Sequence, residues 1–151
     1  MHLHISTLML LGILGAVQPC YAQAEKDSTT IEEVKKETQD LLQSIGSFTA
    51  DKKDQAVEQA KDSLNKLDQR IDALEAKIDK NFDEMNDAAR EEARENMKTL
   101  RKLRNKAAEW YGSMKASSAD AWEQMKKGFS DAYKDLTEAW EKSEKELGSG
   151  K

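Results

Sequence analysis

Cysteine, histidine and proline are all missing from residue 25 onward. The only cysteine, the only proline and both histidines lie within the first 24 residues. The rest of the chain therefore has no disulfide, no thiol nucleophile, no imidazole base and no Cys/His metal site. We predict no catalytic, metal-binding or cofactor-binding residue. We accordingly expect a protein that is not an enzyme and has no cofactor and no small-molecule substrate.

Strand patterns and a surplus of positive charge are also lacking. No alternating run of Val, Ile, Thr and aromatic residues bounded by turn residues occurs, so an all-α fold is favoured by elimination. The chain has 24 Lys and Arg against 29 Asp and Glu, a net charge of -5. Because cationic contacts supply most of the affinity for duplex nucleic acid, we expect no nucleic-acid partner.

The first 24 residues form a segment of their own. Residues 8–17 are apolar and are followed by Cys20 and by the small-x-small pair Ala22 and Ala24. The apolar run is shorter than the roughly 20 residues of a membrane-spanning helix, and it predicts a secretory signal peptide. Cleavage after Ala24 is preferred over Ala22; an uncleaved anchor is the alternative, because no Lys or Arg precedes the run. The protein is therefore predicted to be exported, to a periplasmic or extracellular location.

The remaining residues have the composition of long helices, rich in Ala, Glu, Lys and Asp. We predict a disordered arm over 25–30, a helical coiled-coil region over 31–147 and a flexible tail over 148–151. The fold class expected is all-α, with two or three long amphipathic helices forming a coiled coil or helical hairpin. Candidate breaks lie at 46–50 and 112–118, and an uninterrupted helix is the alternative at each.

A coiled-coil seam is predicted over residues 57–78. Its apolar residues recur at alternating steps of three and four, which is the heptad spacing. These residues are Val57, Leu64, Leu67, Ile71, Leu74 and Ile78. Beyond Ile78 the seam shifts at Phe82, and this shift predicts a stutter inside a continuing helix.

The strongest pattern is an eleven-residue repeat over residues 107–140. Eleven residues make about three helical turns, so one face of a nearly straight helix stays apolar. The candidate interaction face, called here the aromatic face, comprises Tyr111, Met114, Trp122, Met125, Phe129, Tyr133, Leu136 and Trp140. Beyond residue 118 it is graded, with Gly128 and Ala139 at one edge, Met125 at the centre, and Trp122 and Tyr133 at the other. The unbroken phase favours continuity across 112–118.

The segment Ala121-Trp122-x3-Lys126-x-Gly128-Phe129-x2-Ala132-x3-Leu136-x2-Ala139 resembles a family of small bacterial exported coiled-coil stress-response proteins. The resemblance implies a non-enzymatic role in stress tolerance at the cell envelope, with no catalytic residues. The eleven-residue period is also similar to that of apolipoprotein-like and desiccation-protective helical proteins.

These observations favour a structural or protective role through helix–helix association. The expected partner is the chain itself, as an intramolecular hairpin or homo-oligomer, or another helical protein. The alternative is reversible binding of the amphipathic helices to a lipid or membrane surface. Tyr and Trp favour such interfaces, whereas the net charge of -5 opposes binding to anionic lipid.

Overall fold

The computed structural model describes residues 31–148, which are helical apart from short turns and contain no strand. The predicted signal peptide, the arm at 25–30 and the last three tail residues lie outside this range. Four α-helices follow one another, joined by short turns and links: α1 is Ile31–Ser47, α2 is Lys53–Asn81, α3 is Asp87–Lys115 and α4 is Trp122–Ser143. Short 3-10 turns occupy Ala50–Lys52 and Phe82–Glu84, and a π-helical turn, Glu144–Gly148, follows α4.

Side-chain contacts define the topology of the four helices. Glu37 of α1 pairs with Arg70 of α2, and Asp68 of α2 pairs with Arg104 of α3. Thr38 of α1 contacts Thr137 of α4. Further contacts join α3 to α4. In each pair of contacting helices, residues early in one helix meet residues late in the other, so every helix is antiparallel to the one before it and the one after it. Helix α4 packs against α1 in the same antiparallel sense. The fold is an up-and-down four-helix bundle.

One core occupies the centre of the bundle. In each helix, apolar residues recur at steps of three and four, so that one face of the helix points into this core. Fully or nearly fully buried residues include Val34, Ile45, Leu67, Leu74, Leu100, Met114, Trp122, Phe129 and Leu136. All-helical folding was thus predicted correctly, although the structure has four helices where two or three were expected.

The additional helix boundary lies between α2 and α3, where the sequence pattern predicted only a stutter. Met85 and Asn86 are extended, with ψ of 146° and 172°. The Asn86 side chain then caps α3 by accepting a hydrogen bond from the Ala89 N–H at 2.8 Å. Arg90 donates to the carbonyls of Phe82 and Asp83 in the 3-10 turn that follows α2. The Phe82 carbonyl also accepts from the Met85 N–H. The stutter interpretation was wrong because side chains replace the backbone bonds that a continuous helix would make.

The other helix ends fall within or next to the candidate breaks. Helix α1 ends at Ser47, and α3 ends at Lys115, with six residues between it and the start of α4 at Trp122. The uninterrupted helix across 112–118 is therefore not formed. The eleven-residue repeat nevertheless marks buried positions on both sides of the break, because α3 and α4 each point their part of the repeat toward the same core.

Candidate interaction face

The aromatic face is divided between two helices and lies mostly in the core. Tyr111 and Met114 belong to α3, and the other six residues belong to α4. The buried members are Met114, Trp122, Phe129, Tyr133, Leu136 and Trp140. Tyr111 and Met125 are half-buried. Met125 is not at the centre of the buried arc because α1 packs against the opposite edge of α4 and buries Lys126 and Thr137 there.

The predicted seam lies on α2 and meets the aromatic face in the same core. Leu64, Leu67, Ile71, Leu74 and Ile78 are buried, whereas Val57 is only half-buried. Near the start of α2, Ala56 and Ala60 are buried instead of Val57.

A cluster of polar contacts ties the start of α4 to the end of α1; we call it the α1–α4 clasp. The Trp122 Nε1–H donates to the Phe48 carbonyl at 2.9 Å. The Lys126 ammonium donates to the carbonyls of Gly46 at 3.0 Å and Phe48 at 3.1 Å. It also pairs with Glu123 at 2.9 Å. A cation at the end of α1 is favoured for two reasons. The last carbonyls of a helix lack intrahelical partners, and they form the negative end of the helix dipole.

Sequence reasoning missed Lys126 as a core residue. Its side chain is 9% exposed, against 78% for the adjacent Lys127. One signal was present: Lys126 follows Trp122 by four residues and precedes Phe129 by three, so it shares their helical face. Its partners at the end of α1 are some 80 residues away in sequence, and the local spacing contains no information about them.

Tyr133 and Thr137 continue the polar contacts along α4. The Tyr133 hydroxyl donates to the Ser63 carbonyl at 3.4 Å, and burial raises the pKa of Tyr133 to about 12. The Thr137 hydroxyl donates to the Tyr133 carbonyl at 2.9 Å and accepts from Thr38 at 3.4 Å. Because the Tyr133 hydroxyl stays protonated at neutral pH, it serves as a hydrogen-bond donor and not as a base.

Helices α3 and α4 are tightly packed at Gly128. A Cβ added to Gly128 would lie 2.3 Å from Cζ3 of Trp110. The indole ring of Trp110 therefore covers the bare backbone of α4 at Gly128. By contrast, a Cβ added to Gly46 or Gly112 would meet no atom within 4 Å.

Two grooves run along the surface beside α1. One, of about 380 Å³, lies between α1 and α2 and reaches Tyr133. It is lined mainly by charged and polar side chains, among them Glu37, Asp40, Asp62, Lys66 and Arg70. The other, of about 290 Å³, lies between α1 and α4. Within residues 31–148 no group of three or more His, Cys, Asp or Glu side chains is arranged to hold a metal ion.

Ion pairs join the outer edges of the helices. Arg101 pairs with Glu75, and Lys35 pairs with Glu141 at 3.1 Å. Burial opposes ionisation of Glu141, but hydrogen bonds from Lys35 and Lys145 outweigh it, so the pKa of Glu141 is lowered. These pairs are largely solvated and each contributes little to stability.

No protein-family model, curated protein or solved structure matches this chain. Across the part of the chain that the structure describes, no helix combines the length and the apolar character needed to cross a membrane.

Proposed function

We propose that this chain is an exported, non-enzymatic protein with a structural or protective role, and that it acts through association of its helices. The observation that supports this most directly is the burial of the aromatic face against the chain's own helices. Trp122, Phe129 and Trp140 are each at most 2% exposed. In this proposal the helical hairpin of α3 and α4 is the associating unit, and α1 and α2 are its first partners.

The contacts that α4 makes with the other helices support the proposal that the aromatic face is buried reversibly. Between α3 and α4, Gly128 packs against the apolar ring of Trp110. Against α1 and α2, α4 instead places Lys126, Tyr133 and Thr137, each of which makes a hydrogen bond. Polar interfaces are typical of parts that separate and re-form. When α4 is released, its aromatic face becomes an apolar surface of the kind that binds other apolar surfaces.

A protective role is tested by the aggregation of a heat-labile enzyme, followed by light scattering in the presence of this protein. We expect the wild type to reduce scattering. Lys126→Met removes the Lys126 contacts of the clasp, loosens α4 and should reduce scattering at a lower protein concentration. Lys127→Met is the matched control, because Lys127 is exposed and pairs with Asp131 on its own helix, and it should behave as the wild type does. No reduction by the wild type or by Lys126→Met would reject the proposal.

Reversible binding to a lipid surface is the second candidate, and one observation favours it. The Trp140 Nε1–H is buried and has no hydrogen-bond acceptor among the described residues. At a membrane interface an indole N–H is hydrated while its ring stays in an apolar layer. Vesicles of neutral lipid should then change the tryptophan emission and increase the sedimentation of the protein. Emission, helicity and molar mass that are unaffected by vesicles would exclude this candidate.

A further inference from the structure

The link between α3 and α4, residues 116–121, is near-helical at both ends, and only Ser117 and Ser118 within it lie outside helix and turn. Ala116 and Ala121 have φ of -90° with ψ of 0° and -7°. The Ala116 N–H donates to the Gly112 carbonyl and the Met125 N–H to the Ala121 carbonyl, the spacing of α-helical bonds. The link contains neither glycine nor proline. Its residues are therefore sterically and chemically able to continue a helix.

The apolar residues keep the same helical spacing across this link, and a hairpin does not require that regularity. Two helices joined by a turn can bury any face that suits each of them. Yet the steps of three and four run without interruption from Ala107 through Met114 and Trp122 to Trp140. A single straight helix needs that continuity if it is to bury one stripe along its whole length.

The contacts between α3 and α4 also have the symmetry of a pair of straight helices. Trp110 and its contact Gly128 are equally far in sequence from Ala119. Asn96 and its hydrogen-bond partner Glu146 are equally far from Ala121. Two identical straight helices, packed antiparallel about a twofold axis near these residues, bring the same residues together. The only change is that each contact then joins two chains.

We propose that two copies of this chain exchange α4 by straightening the link. In the exchanged dimer α3 and α4 form one helix over residues 87–143, and each α4 packs on α1, α2 and α3 of the partner. Every contact of the α1–α4 clasp is retained, now between chains. This inference rests on the proposed role in helix association and specifies the partner as a second copy.

Ser117 supports exchange at this position. Its Oγ is buried and has no hydrogen-bond partner within the described residues. In a continuous helix a serine hydroxyl can donate to the carbonyl four residues earlier, here that of Ser113. In the turn between α2 and α3, by contrast, no buried side-chain polar atom lacks a hydrogen-bond partner.

A disulfide placed between α1 and α4 distinguishes the closed monomer from the exchanged dimer. The hydroxyl oxygens of Thr38 and Thr137 are 3.4 Å apart in the core. Thr38→Cys with Thr137→Cys, in a chain that also carries Cys20→Ser, has no other thiol. The protein is refolded at micromolar and at millimolar concentration, oxidised, and analysed on non-reducing gels and by light scattering. We expect interchain disulfides and a covalent dimer whose share rises with concentration. Intrachain disulfides alone at every concentration would overturn the proposal.

A proline in the link provides a second, independent measurement. The Ser118 Oγ accepts from the Ala121 N–H at 3.3 Å, so Ala119 has the position after a cap, where proline is favoured. Inside a continuous helix the same proline is strongly unfavourable. Ala119→Pro should therefore keep the monomer folded and lower the dimerisation constant about a hundredfold or more. The control Ala88→Pro lies in the first turn of α3 and should dimerise as the wild type does. Unchanged dimerisation of Ala119→Pro would contradict the exchange.

The aggregation assay separates the two proposals. A wild type that suppresses aggregation but never dimerises refutes the exchange and leaves the protective role intact. A wild type that exchanges α4 but protects no client refutes the protective role and leaves the exchange intact.

Discussion

Replacing glycine by alanine should have opposite effects on stability at two of the three glycines that lie within the helices. Gly46, Gly112 and Gly128 lie in α1, α3 and α4. Alanine in a helix interior is favoured over glycine by about 1 kcal/mol, through backbone entropy and hydration. At Gly112 nothing within 4 Å opposes the added Cβ. Gly112→Ala should therefore raise the free energy of unfolding by about 1 kcal/mol.

At Gly128 the same gain is opposed by the Trp110 ring. The added Cβ would lie 2.3 Å from Cζ3 and 2.7 Å from Cδ2, atoms in the middle of the ring system that cannot move without displacing the whole indole. Overpacking of this kind costs about 1–3 kcal/mol. After the gain in helix propensity, Gly128→Ala should lower stability by up to about 2 kcal/mol. The difference between the two glycine positions is thus about 1–3 kcal/mol.

Urea unfolding followed by circular dichroism at 222 nm measures both changes, and a second background isolates their cause. In Trp110→Ala the ring is gone, so Gly128→Ala should become stabilising, as Gly112→Ala is. The difference between the effects of Gly128→Ala in the two backgrounds is the coupling energy between positions 110 and 128. If Gly128→Ala in the wild-type background stabilises the protein as much as Gly112→Ala, the close packing of α3 on α4 is wrong.

Three further predictions concern the core and the clasp. Lys126→Met removes the side-chain donor to the Gly46 carbonyl and one of the two donors to the Phe48 carbonyl, which still accepts from Trp122. It should destabilise the protein by about 1–3 kcal/mol, whereas Lys127→Met should change stability by less than about 0.5 kcal/mol; equal effects in urea unfolding would rule out the Lys126 contacts of the clasp. Trp122→Ala should cost about 3–5 kcal/mol if the ring is buried as described, and a cost below about 1 kcal/mol would place it outside the core. Because the pKa of Tyr133 is about 12 when folded and 10.0 in the absence of the fold, its contribution to stability is complete below pH 10 and is lost as the pH rises toward 12; ultraviolet titration should show one tyrosine that ionises late, and Tyr133→Phe should abolish that phase.

The all-helical fold and the inward faces of two helices were predictable because the spacing of apolar residues directly determines a helix face. Val34, Leu41 and Ile45 of α1, and Leu67 and Leu74 of α2, are buried as their spacing of three and four indicates. This information is local. Each helix must bury its own stripe whatever helix it meets.

The turn between α2 and α3 was not predictable from helix-breaking residues, because the sequence has none there. What ends α2 is a set of side-chain contacts, the cap by Asn86 and the donation by Arg90. Asparagine followed by an acidic residue and two alanines was a weak local signal for a helix start. The competing interpretation, a shift of the apolar seam at Phe82 inside a continuing helix, was the wrong one.

The α1–α4 clasp was not predictable for a different reason. Lys126 is buried because the end of α1 offers it two carbonyls. A charged residue on an apolar face is ordinarily interpreted as marking the edge of that face. Only the three-dimensional neighbour reveals that the edge lies further round the helix, beyond Thr137.

The closure of α4 against α1 has a consequence for how the chain assembles. The turns and links between successive helices are short, so three of the four helix pairings can form as soon as each new helix is complete. The fourth pairing joins Thr38 to Thr137, across most of the chain. During synthesis, the side of α1 that α4 covers has no permanent neighbour until α4 itself has been made. We therefore expect α1 to be the segment that molecular chaperones bind in the nascent chain, and the formation of its contacts with α4 to be the last step of folding.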